Sequence, residues 1–153
     1  MTLSIIPLDE IHLSKGFIEC LKQLTKVGKI DIKDSKKQLQ EIKSNKNHYI
    51  RIAFDDEKDM VVGSATMLIE PKFIHNLGRV AHIEDVVVRN NFRRLQIGSK
   101  IIDSLIDIAK KNNCYKIILD CNSNDDGIIS FYKSKKFEHH EIIQMRFDIS
   151  NQS

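Results

Sequence analysis

Between Val80 and Ala109 the chain passes from an apolar run through a basic loop into a helical stripe. No other feature constrains the fold as tightly. The run Val80-Ala81-His82-Ile83-Glu84-Asp85-Val86-Val87-Val88 is rich in β-branched residues and predicts a largely buried strand. The loop Arg89–Gln96 carries the adjacent pair Arg93-Arg94. Beyond it Ile97, Ile101, Leu105 and Ile108 recur at helical spacing, widened by Ile102, Ile106 and Ala109. Helix N-termini present unpaired N–H groups and the positive end of a dipole, so the loop and first turn suit a phosphate or pyrophosphate. Gly98 admits close backbone approach, and Arg93, Arg94 and Lys100 add charge. The same residues also fit an ordinary solvated basic loop, and spacing alone does not decide between the two.

The flanking segments extend the pattern. Leu3–Ile6 predicts a short strand stopped by Pro7. Phe17, Ile18, Leu21 and Leu24 predict a helix, with Gly28 past its end as a C-cap, and Ser35–Ile42 a second, more polar one. Tyr49–Phe54 and Met60–Ile69 predict a hairpin turning at 55–58, with Pro71 ending its second strand. After the long helix, stopped by Asn112-Asn113, come a buried strand at Lys116–Asp120 and a loop at Asn122–Gly127. A short helix with Ile128, Ile129, Phe131 and Tyr132 follows, then a final strand from Glu141 to Phe147. The succession predicts one mixed α/β or α+β layered domain over residues 1–153.

Composition narrows the function. With 24 Lys+Arg against 21 Asp+Glu the net charge is +3, too mild and dispersed to predict nucleic-acid binding. Cys20, Cys114 and Cys121 are an odd, sparse set that predicts neither a disulfide framework nor a zinc site. The first residues lack the pattern of a secretory signal, and no apolar run approaches the ~20 residues needed to span a bilayer. The expectation is a cytoplasmic protein with no metal and no membrane partner.

The phosphate motifs G-x-x-x-x-G-K-[ST] and G-x-G-x-x-G are both absent, which removes the main support for kinase-like and dinucleotide-binding readings. Glu84-Asp85 interrupts the apolar strand. Adjacent strand residues face opposite ways, so at most one is expected to enter a given cleft, either as a loop-holding ion pair or as a substrate ligand or base. Asp120 ends a buried strand, where ligand-facing groups gather in α/β sheets. Tyr132 fits both a core anchor with a wet hydroxyl and a catalytic donor. His139-His140 is assigned no role.

Together these residues resemble the GNAT family of N-acetyltransferases. Its [QR]-x-x-G-x-[GA] loop is matched by Arg93-Arg94-Leu95-Gln96-Ile97-Gly98, with Gln96 at the first glycine. Its late Phe-Tyr-x-x-x-x-Phe element is matched by Phe131 to Phe137. The stretches Leu24–Gly28, Ile74–Gly78, His82–Val88 and Cys114–Cys121 resemble the branch of that family acting on glucosamine 6-phosphate. The asparagine that this branch carries shortly before the tyrosine is Ile128 here, with Asn124 and Asp126 nearby.

The resemblance implies a GNAT fold: a central, mostly antiparallel mixed sheet flanked by helices, with acetyl-CoA in a splay between two central strands. It implies acetyl transfer from acetyl-CoA to the amine of glucosamine 6-phosphate, toward UDP-N-acetylglucosamine. Val86, Val87 and Val88 would hold the pantetheine arm, and Arg93, Arg94, Leu95, Gln96, Ile97, Gly98, Ser99 and Lys100 the pyrophosphate. Thr25, Lys72, His75, Glu84, Asp85, Val86, Tyr115, Lys116, Asp120 and Arg146 would line the sugar site, part of it lent by a second subunit of a homodimer. Glu84 or Asp120 would orient or deprotonate the amine, a backbone N–H near Val86 would meet the oxyanion, and Tyr132 would serve the departing thiolate. A family member acting on another amine and an inactive CoA-sensing module are the alternatives.

Overall fold

The computed structural model describes residues 1–149. They divide into two compact units, Met1–Asp120 and the remainder from Cys121 onward.

The first unit is built on a five-stranded sheet in sequence order, β1 (Leu3–Pro7), β2 (His48–Asp55), β3 (Met60–Pro71), β4 (Arg79–Val88) and β5 (Cys114–Leu119). The first three pairings are antiparallel and β4–β5 is parallel, giving the mixed, mostly antiparallel sheet expected. Short connections join β2 to β3 and β3 to β4, while β1 reaches β2 only after the helical segments of residues 8–47. The parallel pair requires a crossover, which α5 (Ile97–Lys111) supplies. Asp55 shapes the β2–β3 turn: it is fully buried, and its Oδ1 accepts from the Glu57 and Lys58 amides.

Val61–Ala65 are buried without alternation, which a strand achieves only when both faces are covered. On α5, Ile97, Ile101, Ile102, Leu105, Ile108 and Ala109 are buried, the stripe read from the sequence. Leu8, Leu13, Phe17, Cys20, Leu39, Ile52, Phe54, Val61 and Val87 form a core cluster under the helical segments that follow β1.

Those segments depart from the sequence expectation. A helix starts at α1 (Glu10–His12), capped by Asp9, and is broken by Lys15 and Gly16, the latter at φ +84°. It resumes as α2 (Ile18–Leu21) and then turns off. It ends at Leu21, short of the last member of the expected stripe, so Leu24 is 42% exposed and Gly28 stands in an open loop. The next helix, α3 (Ile32–Ser44), is longer than its apolar positions suggest, because Asp31 caps it by accepting from the Asp34 amide.

The second unit holds α6 (Asp126–Ser134), capped by Asp125. Tyr132 is buried there, with edge-on ring contacts to Phe131 and Phe137 at centroid distances of 5.0 and 5.7 Å. The predicted strand Glu141–Phe147 does not form among the described residues. Its alternation is genuine, yet a strand exists only against a partner, and Ile143, Met145 and Phe147 remain more than four-fifths exposed.

Candidate active site

The sheet opens at β4. Pairing with β5 runs from Arg79↔Cys114 to Ile83↔Leu119 and stops, while β4 continues to Val88, paired among the described strands with β3 alone. The backbone groups of Glu84–Val88 that face away from β3 therefore meet no strand, an edge that an extended ligand can complete by β-augmentation. Val87 is buried and Val86 and Val88 are half-buried, so this stretch offers peptide groups more than side chains.

At the mouth of the opening β4 carries an extra residue: Ser64 faces Val87 and Thr66 faces Glu84, leaving two β4 residues against Ala65. Asp85 takes up this bulge at φ +51°. The expectation that Glu84 and Asp85 point oppositely assumed unbroken alternation. The bulge breaks it, and both carboxylates are exposed. Asp120 immediately follows the last β4–β5 rung, as Glu84 does, so two carboxylates start where the strands part. Neighbouring strands lie about 5 Å apart at such a rung.

The loop beyond β4 turns through a 3₁₀ turn at Asn90–Phe92 and delivers Arg93–Gln96 to the start of α5. Arg93 folds back, its Nε donating weakly to the Val88 carbonyl at 3.4 Å. Arg94 and Gln96 both lie in the left-handed region, at φ +64° and +58°. Gln96 thus adopts a conformation natural to the glycine it replaces, at a strain of about 1–2 kcal/mol. It gives α5 no side-chain cap, and the first turn holds no acidic residue. The Ile97, Gly98 and Ser99 amides consequently lack intrahelical partners and face a dipole that favours an anion. Leu95, Gln96 and Lys100 are exposed, Gly98 and Ser99 half-buried, while the Ile97 side chain is sealed in the core and leaves only its backbone available.

The residues expected around the sugar fall into separate groups. One gathers at the start of β4. Lys72 N donates to the Gly78 carbonyl, and the His75 and Tyr115 rings stack with centroids 4.2 Å apart. A Cβ on Gly78 would stand 2.7 Å from the Tyr115 ring and 2.9 Å from the His75 carbonyl, so glycine is what lets this pair form. His75 belongs to α4 (Ile74–Leu77), a single turn whose His75, Asn76 and Leu77 all have positive φ. Lys116, one residue on, has its Nζ 5.8 Å from the Tyr115 ring centre.

Two residues of this group escaped the sequence reading. Glu70 bridges Lys72 (2.5 Å) and His82 (3.1 Å) through its two carboxylate oxygens, and the hydrogen bond from Lys72 holds its carboxyl below the usual range. The i, i+2 spacing of Glu70 and Lys72 was the available signal. A second group, Glu84, Asp85 and Asp120, sits at the splay. Thr25 follows α2, near the far end of β4: Gln23, two residues earlier, contacts Asn90. Ten residues of strand separate the ends of β4 by about 30 Å.

In the second unit, burial above all, with Cys121 adding to it, pushes the Tyr132 hydroxyl up to about 12. Arg146 is exposed and paired with Asp148 at 2.7 Å. Among the described residues no group of three or more His, Cys, Asp and Glu side chains is arranged to hold a metal ion, and no helix is long and apolar enough to cross a membrane.

The mixed sheet that parts beside an uncapped helix N-terminus matches the acetyltransferase fold that the resemblance implies, and the chain belongs to the Acetyltransferase (GNAT) family, whose model matches residues 18–137. Members of this family use acetyl-CoA as co-substrate. Within it, the chain is 38% identical over 137 residues to glucosamine 6-phosphate N-acetyltransferase 1 of Dictyostelium discoideum, spanning 89% of this chain and 85% of that one. It is 38% identical over 122 residues to the glucosamine 6-phosphate N-acetyltransferase of Arabidopsis thaliana, 79% of this chain and 82% of the relative. The crystal structure of glucosamine-6-phosphate N-acetyltransferase from Arabidopsis thaliana superposes with a TM-score of 0.91 at 34% identity, covering 98% of this chain and 100% of that one.

Proposed function

We propose that the chain transfers the acetyl group of acetyl-CoA to the amine of glucosamine 6-phosphate, serving UDP-N-acetylglucosamine synthesis in the cytoplasm. The observation that carries this reading is the parting of β4 from β5 at Ile83/Leu119, with Glu84 and Asp120 at its vertex and the uncapped start of α5 beyond it. The relatives named above support the acceptor.

In this reading the open edge at Val86–Val88 holds the pantetheine arm, and the Arg93–Lys100 loop and helix start hold the pyrophosphate. Bound there, acetyl-CoA supplies the activated acyl carbon. Glu84 or Asp120, directly or through water, takes the proton that the attacking amine must lose. A backbone N–H near Val86 meets the negative charge that grows on the thioester oxygen. Tyr132 donates to the departing thiolate; with its hydroxyl held near 12 it stays protonated throughout the neutral range. Lys72, His75, Tyr115, Lys116 and Arg146 provide cationic and hydrogen-bonding groups suited to a sugar phosphate.

Thr25 and the Lys72–His75–Tyr115 group stand at opposite ends of β4, too far apart to share one hexosamine within a single chain. This supports a homodimer in which each sugar site draws on both copies. Exposed Phe73 and Leu77, beside the stacked pair, suit such a contact.

The test is CoA thiol release from acetyl-CoA with glucosamine 6-phosphate, with unphosphorylated glucosamine and with spermidine. Release with the first alone is expected. Preference for either of the others reassigns the acceptor, and release with none reduces the chain to a CoA-binding module.

A further inference from the structure

At the Lys15–Gly16 break the Gly16 carbonyl accepts from a residue distant in sequence. Arg89, the first residue beyond β4, donates from Nη2 to the Gly16 carbonyl at 2.7 Å and from Nε to the Val61 carbonyl at 2.8 Å. Its own amide donates to the Val62 carbonyl at 2.9 Å. One guanidinium thereby ties the end of β4 to β3 and to the kink. Gly16 is fitted to it: its φ of +84° favours glycine, and a Cβ there would stand 2.4 Å from Nη2. Its Nε and Nη2 meet these two carbonyls in a fork that lysine cannot reproduce.

The next residue makes a second tie. Asn90 opens the 3₁₀ turn of the cofactor loop, and the first amide of such a turn has no partner within it. Gln23 supplies one from the turn after α2: its Oε1 accepts from the Asn90 amide at 2.7 Å. Arg89 and Asn90 therefore grip the segment 16–23 near its two ends, and Thr25 follows two residues beyond the second grip. The kink and the turn after α2 fix this segment locally, while the two ties fix it to the head of the loop beside Val88.

We propose that Arg89 and Gln23 are positioning residues of the transferase, a two-point brace that sets the acceptor-side segment 16–25 against the strand end holding the thioester. The brace rests on the acetyltransferase reading above. Neither side chain needs to touch either substrate. Their effect is exerted through Thr25 on one side and the start of the cofactor loop on the other. Gln23 is the better lever for a test, because it is exposed and contributes a single acceptor atom, whereas Arg89 joins three elements and its loss endangers folding.

The experiment compares the full-length chain with Gln23→Met, which keeps length but loses the acceptor, and Gln23→Glu, which keeps an acceptor oxygen. Steady-state kinetics are read for each substrate separately, alongside Tm. Loss of one hydrogen bond predicts that Gln23→Met raises KM for glucosamine 6-phosphate about fivefold while KM for acetyl-CoA moves less than about twofold. Gln23→Glu is expected to restore the wild-type values, and Tm to stay level in both. Unchanged kinetics in Gln23→Met overturn the brace, as do equal losses in Met and Glu or a parallel rise in both KM values. An inactive wild-type chain overturns the acetyltransferase reading instead, and the brace with it; an active wild type with an indifferent Gln23→Met sinks the brace alone.

Discussion

The two ends of β4 are built from different materials. Its far end, with the open edge at Glu84–Val88 and the uncapped start of α5, presents peptide groups. Its near end presents side chains, the stacked His75 and Tyr115 and the Glu70 bridge between Lys72 and His82. A surface of peptide groups depends on backbone path, so it survives substitutions that preserve that path, and Gln96 in a glycine's place does so at φ +58°. A surface of side chains has no such tolerance. On the proposed function, the cofactor end should be forgiving and the acceptor and catalytic groups should not.

The largest expected effect falls on a catalytic side chain. Tyr132→Phe removes the proton donor and should lower kcat about a hundredfold with little change in KM for the sugar. Unchanged turnover would return Tyr132 to a ring anchored between Phe131 and Phe137. Next, Gly78→Ala places a methyl against the Tyr115–His75 stack, and about a tenfold rise in KM for glucosamine 6-phosphate is expected, with acetyl-CoA affinity unaltered by calorimetry. Affinities that fall together would erase the distinction between the two ends. At the forgiving end, Gln96→Gly relieves left-handed strain but loosens the unfolded chain. The two effects oppose, so a change in stability below about 1 kcal/mol is predicted by urea unfolding, with acetyl-CoA affinity within about twofold.

The smallest effect lies away from both ends. Burial holds the His12 imidazole below its ordinary value, and its neutral Nδ1 accepts from the Asp9 amide at 2.9 Å. The folded pKa is thus depressed, so the unfolded chain takes up the proton first, at about pH 6.5. The stability this group contributes is present above that pH and is lost below it. A fall in Tm of about 3 °C or less between pH 7 and pH 5 is expected, flattened in His12→Gln, which cannot ionise.

Much of this architecture was legible from periodicity. The hairpin, the strand–loop–helix at its side and the stripe of α5 each follow from apolar spacing over long runs, where a shift of one residue would expose the whole face. What escaped are features carried by single residues. The kink at Gly16 and the early end of α2 at Leu21 divide a helix read as continuing to Leu24, and the bulge at Asp85 interrupts the alternation on which the reading of Glu84-Asp85 relied. Asp31 and Asp125 start helices one cap earlier than their apolar positions suggest. The stretch from Glu141 shows the reverse failure. Its alternation specifies a strand, but alternation cannot supply the neighbour against which a strand forms. The candidate site was legible chiefly as a resemblance. The grouping of Lys72, His75 and Tyr115 apart from Thr25 depends on register, which no local pattern displays.

The single parallel pairing has a consequence for the order of assembly. The strands β2 to β4 are joined as an antiparallel meander, so each can dock as soon as its short connection closes. β5 must await a complete crossover helix before it meets Arg79–Ile83. As the chain leaves the ribosome, the whole outer edge of β4 is therefore bare for the time it takes to synthesise some thirty more residues, at about 5–20 residues per second. When β5 arrives it covers only the first half. The second half meets no strand among the described residues, and on the proposed function a chain that binds acetyl-CoA there would present fewer unpaired strand groups to its neighbours.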